Sequence, residues 1–284
     1  MHKDNIVIVV IPVYNENPKK EERRAFRNNI QILRQHPICI VTHKECDISV
    51  YNRIAKEEGI VLLYNHFDKS YFSSTESYNA LCLSTDFYER FSNYKYMLIC
   101  QLDVWIFRDE VIEWCSKGYD YIGAPIYYPY NESRYTKIFR AIGNGGLCLR
   151  RIKYCLEIVS SDPHKLLLKP TALFKMYWNL FLYDETYKSS WIKRFSIFPI
   201  LIAKIFGFRN SFHYFASCHL NEDLLLGTWA EQSWQHTANL PDEITAAHFS
   251  IEVNADMLLK RMNGKCPMGV HAYEKWNNPL VPKI

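Results

Sequence analysis

The stretch 94-YKYMLICQLDVWIF-107 decides the reading of this chain. Tyr96 to Cys100 is an unbroken apolar run that reads as a buried strand, and Gln101-Leu102-Asp103 interrupts it before Trp105, Ile106 and Phe107 resume. An ionised carboxylate beside a core is costly unless something pairs with it. Two readings of Asp103 follow. It starts a turn or caps the next helix, or it reaches a divalent cation. Mg²⁺ and Mn²⁺ are commonly held by one or two carboxylates together with phosphate oxygens.

Outward from that strand, apolar runs alternate with helix-like stretches. Strands are expected at Ile6 to Ile11, Ile38 to Thr42, Ile60 to Tyr64, Tyr96 to Gln101 and Tyr119 to Gly123. Helices are expected at Glu21 to Gln35, at Asp47 to Glu58 ending on Gly59, at Ser73 to Phe91 and at Asp109 to Lys117 ending on Gly118. Ser73 and Glu76 have the spacing of a capping box, and the glycines suit helix C-termini. This is the pattern of a doubly wound α/β fold, a parallel sheet covered by helices, whose ligands collect beyond the carboxyl ends of the strands.

The composition is compatible with that reading. In 284 residues, 48% hydrophobic and 15% aromatic, there is material for one large core or two small ones. A net charge of +4 is too weak to argue for nucleic acid, and no basic and aromatic module of that kind is visible. Nine cysteines, scattered through apolar runs without a C-x-x-C pair, read as reduced thiols of a cytosolic protein rather than a zinc site. The opening MHKDNIVIVVIPVYNENP reads as a first strand, because polar residues stand where a signal peptide needs a cleavage site. No run of eighteen apolar residues suggests a membrane span. From about residue 165 to 215 Trp, Phe, Tyr, Leu and Lys crowd together. That segment reads either as an aromatic core beneath a long insertion or as a surface lying on a membrane.

Four further stretches carry chemistry-bearing residues. In 141-AIGNGGLCLRR-151 the glycines around Asn144 permit positive φ and close approach of the backbone to a ligand, or form a tight hairpin turn. In 218-CHLNEDLLLGTWAEQ-232 Glu222 and Asp223 either cap a helix or face a cleft, where one could take a proton from a sugar hydroxyl. In 264-GKCPMGVHAYEKW-276 His271 lies in a loop-like segment and is either a solvated or structural histidine or a metal ligand. The first strand ends in 11-IPVYNENP-18, which puts Pro12, Tyr14, Asn15 and Glu16 at the ligand-bearing edge or in a surface turn. Ser74, Tyr78 and Asn79 belong to a helical polar face or to the same edge.

In this order the segments IPVYNE, QLDVW, GNGGLCLR, NEDLLLG and GVHAYEKW resemble glycosyltransferases of the GT-A type, from the first strand to Trp276. The likeness is nearest to a bacterial glycosyltransferase-like family with Q-x-D, G-N-G-G and E-D signals. The resemblance implies a Rossmann-like mixed sheet flanked by helices, with a helical aromatic-rich insertion at about 165–215. It implies one catalytic domain over 1–284, with a nucleotide-binding half (1–125) and an acceptor-binding half (126–284). It makes Asp103 and His271 ligands of Mn²⁺ or Mg²⁺, Asp223 the general base, and Glu222 its partner, which positions the acceptor or exchanges roles with it. Asn144, Gly145 and Gly146 would line the donor sugar, and Pro12, Tyr14, Asn15 and Gln101 the nucleotide. Gln101 stands where the D-x-D motif has its first aspartate, so fewer charges are available to a cation. The PVYNE string also resembles processive, capsule-type glycosyltransferases, but the paired aspartates of that family are missing.

The expected activity is transfer of a sugar from a nucleotide-sugar donor, uridine diphosphate-linked, to a hydroxyl of a glycan or lipid-linked acceptor, with inversion. The expected setting is the cytoplasm, with peripheral contact at the inner membrane face. A nucleotidyltransferase is the alternative enzyme, although PVYNENP offers no Gly-rich basic loop after the first strand. A non-catalytic nucleotide-sugar or glycan-binding protein is the alternative outside enzymes.

Overall fold

The computed structural model describes residues 5–128, 137–161, 167–183, 191–218, 220–232, 238–276 and 278–281. A six-stranded sheet forms its centre, in the order β3-β2-β1-β4-β9-β6. The strands are β1 (Val7–Pro12), β2 (Ile38–Thr42), β3 (Leu62–His66), β4 (Tyr96–Cys100), β6 (Tyr121–Ile122) and β9 (Leu147–Arg151). The first four are parallel, whereas β9 runs antiparallel to both β4 and β6. The sheet is therefore mixed, as the resemblance implies, and not the all-parallel sheet that the βαβ alternation alone suggests. The crossover helices are α1 (Lys20–Ile32) and α2 (Ser49–Glu57), and α5 (Val111–Ser116) follows the small strand β5 (Trp105–Ile106).

β1, β2 and β4 are buried on both faces at every position, which is why they read as unbroken apolar runs. Alternate residues feed two cores, Ile8, Val10, Met97 and Ile99 on one side and Val7, Val9, Leu98 and Cys100 on the other. Gly59 (φ 67°) and Gly118 (φ 77°) stop their helices in the left-handed conformation expected of them. The nine cysteines are all free thiols, seven of them buried.

The helix expected over Ser73 to Phe91 is two helices, α3 (Thr75–Cys82) and α4 (Thr85–Glu89), behind a 3₁₀ turn at Lys69–Phe72. Two hydroxyl caps explain the break. The Ser74 and Ser84 side chains accept from the amides of Ser77 and Phe87, so the chain restarts at Ser84. The capping box falls on Ser74 and Ser77, one residue later than the spacing suggests.

The glycine-bearing loop 143–146 is not a hairpin turn. It leads from β8 (Phe139–Ile142), which pairs with β7 (Pro125–Tyr127), into β9 of the central sheet. After β9 come α6 (Ile152–Val159), α7 (Pro170–Tyr183), α8 (Trp191–Ile205), α9 (Phe212–Ser217) and α10 (Glu222–Gln232). Leu173, Tyr177, Leu201, Phe212 and Phe215 belong to the main core, so the aromatic-core reading holds for the inner side of the insertion. Two further helices, α11 (Glu243–Phe249) and α12 (Ala255–Arg261), flank β10 (Ser250–Ile251), and β11 (Gly269–Val270) closes the fold. Among the described residues no helix is long and apolar enough to cross a membrane.

Candidate functional site

A second, three-stranded sheet in the order β10-β11-β5 assembles the site. β11 pairs antiparallel with β5 (Val270 opposite Trp105) and parallel with β10 (Val270 opposite Ile251). Asp103 precedes β5, His271 follows β11 and Glu252 follows β10, so the pairing brings three titratable side chains to one edge. His271 Nε2 is 3.3 Å from Asp103 Oδ1, and His271 Nδ1 is 3.7 Å from Glu252 Oε1.

The Asp103 turn is clamped from both sides. The Gln101 amide donates to the Gly146 carbonyl at 2.9 Å. The buried Asn29 of α1 donates to the Val104 carbonyl (2.7 Å) and accepts from the Ile106 amide (2.9 Å). Sequence reasoning missed Asn29, which sits among the apolar positions of an amphipathic helix and needs its tertiary partner to be recognised.

On the other side of His271 lies the glycine loop, and behind it the acidic pair. Asn144 takes the left-handed conformation (φ 73°), a role expected of the glycines, and its side-chain oxygen accepts from the amides of Gly146 (3.0 Å) and Leu147 (3.2 Å). Its amide group donates to Glu252 Oε2 at 3.1 Å. The glycines serve close approach instead. A Cβ on Gly146 would fall 2.1 Å from His271 Nε2, and one on Gly145 would fall 2.4 Å from a Glu222 oxygen. Asn144 is therefore an organiser of the loop, with its hydrogen-bonding groups turned to protein partners.

Asp223, in the first turn of α10, accepts from the Asn144 amide at 2.6 Å and from the Leu224 amide at 2.7 Å. Burial and the neighbouring Glu222 carboxylate nonetheless push its pKa up to about 7. Glu222 is buried as well and accepts from Arg150 Nη2 at 2.6 Å. Arg150 is fully buried and also donates to the Tyr88 hydroxyl. Neither Arg150 nor Glu252 was singled out from the sequence. Glu252 had a signal, since SIEVN repeats the pattern of QLDVW, an acid directly past a short apolar strand.

Burial alone would lower the His271 pKa, but Asp103, with Glu252 and Asp223 behind it, raises it to about 9. Burial likewise opposes ionisation of Asp103, and His271 outweighs it to hold that carboxyl below its ordinary value. Both His271 ring nitrogens are buried and neither makes a hydrogen bond of acceptable geometry with a described residue. An imidazole normally finds such partners; here the ring meets the two carboxylates as charge partners instead. Among the described residues no three His, Cys, Asp or Glu side chains are arranged to hold a metal ion. Asp103 and His271 are the two side chains here that could hold a cation, too few to fill its coordination shell by themselves.

The remaining expected residues divide. Pro12, Tyr14 and Gln101 line a cleft of about 320 Å³ with Phe72, Ser73, Ser74, Thr75 and Tyr78. This cleft opens where β1 and β4 end, the point at which the strand order 3-2-1-4 reverses direction, and ligands of open α/β sheets bind at such switch points. Asn15 does not line it. Its side chain is held by Glu22 and the Asn17 amide, because the turn after β1 folds back onto α1. Asn79 donates to Asn221, linking α3 to the residue before the acidic pair.

Among solved structures the chain is similar to core-mannan synthase A (CmsA/Ktr4) from Aspergillus fumigatus, in its Mn/GDP form. The identity is 12% over 82% of this chain and 75% of that one, with a TM-score of 0.37. It is also similar to A197 from STIV, at 13% identity over 57% of this chain and 71% of that one, with a TM-score of 0.29. No curated protein matches the sequence. One family matches residues 62–271, a stretch that runs from β3 through both Asp103 and the acidic pair to His271. The chain belongs to this family, described as Protein of unknown function (DUF5672).

Proposed function

We propose that the protein is a glycosyltransferase that moves a sugar from a nucleotide-sugar donor, uridine diphosphate-linked, to a hydroxyl of a glycan or lipid-linked acceptor. The observation that carries the reading is the meeting of Asp103 and His271 at 3.3 Å beside a switch-point cleft. The cleft suits a nucleoside, since Tyr14, Phe72 and Tyr78 offer ring faces and Ser73, Ser74 and Thr75 offer hydroxyls.

Asp223 is the proposed base, because a carboxyl with a pKa of about 7 is matched to proton transfer at neutral pH. The acceptor hydroxyl gives its proton to Asp223 as its oxygen bonds to the anomeric carbon. The bond from that carbon to the diphosphate breaks, its electron pair leaves with the nucleoside diphosphate, and the configuration inverts. Glu222, occupied by Arg150, acts on this step only by keeping the Asp223 pKa high. Asp103 and His271 would hold Mn²⁺ or Mg²⁺, which when bound supplies positive charge to the departing diphosphate.

The test is a thermal-shift series with uridine diphosphate and its sugars, with and without Mn²⁺, followed by an assay of nucleotide release. Ligand binding to the native state raises the melting temperature. The wild type is expected to shift with nucleotide, and further with Mn²⁺, and Asp103→Asn to lose the Mn²⁺ increment. Asp223→Asn should keep the nucleotide shift and lose roughly a hundredfold or more in transfer rate. Failure of every nucleoside diphosphate and nucleotide sugar to shift the wild type overturns the proposal.

A further inference from the structure

We infer that α7, α8 and the turn after α8 form a docking surface for an anionic lipid bilayer. These two helices are apolar on two sides. Leu173, Tyr177 and Leu201 face the core, yet Phe174 is 52% exposed, Trp178 44%, Phe195 57% and Phe206 86%. A helix apolar on both sides has a second apolar phase to meet.

The rings of the two helices are continuous. Phe174, Trp178 and Phe181 stack in sequence at 5.9 and 5.6 Å, and Phe181 meets Phe198 of α8 at 6.0 Å, which in turn meets Phe195 at 6.3 Å. Beyond α8 the chain turns at Gly207 (φ 91°), with Phe206 and Phe208 on either side of it. Arg209 lies over the Phe208 ring at 5.1 Å, a cation beside an aromatic, as at membrane interfaces.

Charge selects the occupant. Residues 165–217 hold eight Lys and Arg against two acids, Asp184 and Glu185, while the rest of the chain has 26 basic and 28 acidic residues. The positive excess of the whole chain thus lies on the segment that carries the patch. A second copy docking through the same patch would set this cationic segment against itself, whereas acidic headgroups would attract it and the rings would enter the acyl boundary. With no described helix able to cross a bilayer, the contact is one of lying on the surface. Lys175 and Met176 of α7 also line a groove of about 80 Å³ with Leu224 and Leu225, next to Asp223. A membrane seat would bring a lipid-borne acceptor near that carboxylate, and this last link alone rests on the proposed transferase activity.

The test is co-sedimentation of the full chain with phosphatidylcholine vesicles and with vesicles in which phosphatidylglycerol replaces a minority of that lipid. The wild type is expected to sediment with the anionic vesicles only, and to be released by high salt. The variant carrying Phe206→Ser and Phe208→Ser should partition at least about tenfold more weakly at an unchanged melting temperature. Phe174→Ser with Trp178→Ser provides a second variant should the first fold poorly. Wild type that stays in the supernatant, sediments equally with neutral vesicles, or is matched by both variants overturns the inference. So does light scattering that shows a dimer abolished by the variants without any vesicle binding.

Discussion

Around Gly145 the molecule buries charge, and along the α7–α8 hairpin it exposes hydrocarbon. Both arrangements run against the usual partition of residues between core and surface, but their energetic consequences differ. In the first region Arg150, Glu222 and Asp223 are each at most 4% exposed, and each is hydrogen-bonded to a named partner. Arg150 and Glu222 offset each other's desolvation inside the protein, so removing one leaves the other stranded. After the second helix of the hairpin Phe206 and Phe208 lie largely open to water in the folded protein, and removing these rings strands no polar group. A fold-determined cluster and a partner-facing surface can thus be told apart by what truncation does to stability.

The sharpest way to break this comparison is Arg150→Ala. Stranding Glu222 in the interior should cost about 3–5 kcal/mol, as for other buried pairs, read as a fall in the denaturant midpoint. Replacing both partners by apolar residues, Arg150→Met with Glu222→Leu, should recover much of that loss. Equal losses in single and double variants would show that the pair is not the element holding the acidic loop.

Asn29→Ala comes next. It deletes a donor to the Val104 carbonyl and an acceptor from the Ile106 amide in a buried setting, for about 2–3 kcal/mol at the usual cost of stranded backbone groups. Because Asn29 fixes the turn that presents Asp103, the variant should also shrink the Mn²⁺ increment in the thermal-shift series more than the nucleotide shift. A variant that loses stability but keeps the full increment would make Asn29 a structural residue only.

The legibility of these features in the sequence follows their burial. β1, β2 and β4 could be read because burial on both faces leaves a continuous apolar run. β5, β10 and β11 are two residues each, too short for any period, so the reason Asp103 meets His271 was hidden although both residues could be picked out. The glycines near Asn144 were legible as a place of positive φ and close approach, and only the second holds for Gly145 and Gly146. Positive φ belongs to Asn144, and what Gly145 and Gly146 provide is room for a carboxylate and an imidazole. Arg150 lay in LCLRR, where alternation marks Leu147 and Leu149 as inward and says nothing of a sheet buried on both faces. Glu252 had the same local signature as Asp103 and was passed over for want of a neighbouring motif.

A smaller effect, visible as a slope, tests whether Asp223 belongs to the buried-charge region. In the unfolded chain its carboxyl titrates near the ordinary 3.8, whereas in the native protein burial and Glu222 hold it at about 7. Between those values the unfolded chain gives up a proton that the native state keeps. The Asp223 contribution therefore favours folding most below about pH 4, is lost as pH rises towards 7, and is constant above that. Asp223→Asn removes the titration. The stability difference, variant minus wild type, should move in the variant's favour from pH 4 to 7 and then level off, whatever fixed cost arises where the new NH2 faces the Asn144 or the Leu224 backbone N–H. A difference independent of pH over that range would place the Asp223 pKa near its ordinary value and take away the ground for calling it a base.

The smallest expected change is in the hairpin, and its smallness is the point. Phe206 is 86% exposed on one side of the Gly207 turn, so Phe206→Ser removes apolar surface that water already touches in the folded protein. The unfolded chain exposes that ring as well, and the transfer energy of the ring cancels between the two states. The change in unfolding free energy should stay within about 0.5 kcal/mol, as for surface positions free of special features. The same substitution should lower vesicle partitioning, because the bilayer removes from water a ring that folding does not. Stability and partitioning falling together would mean that Phe206 packs against the protein and that the hairpin resembles the acidic loop in kind. Partitioning falling alone would separate the two regions, with one held by internal partners and the other waiting for an external phase.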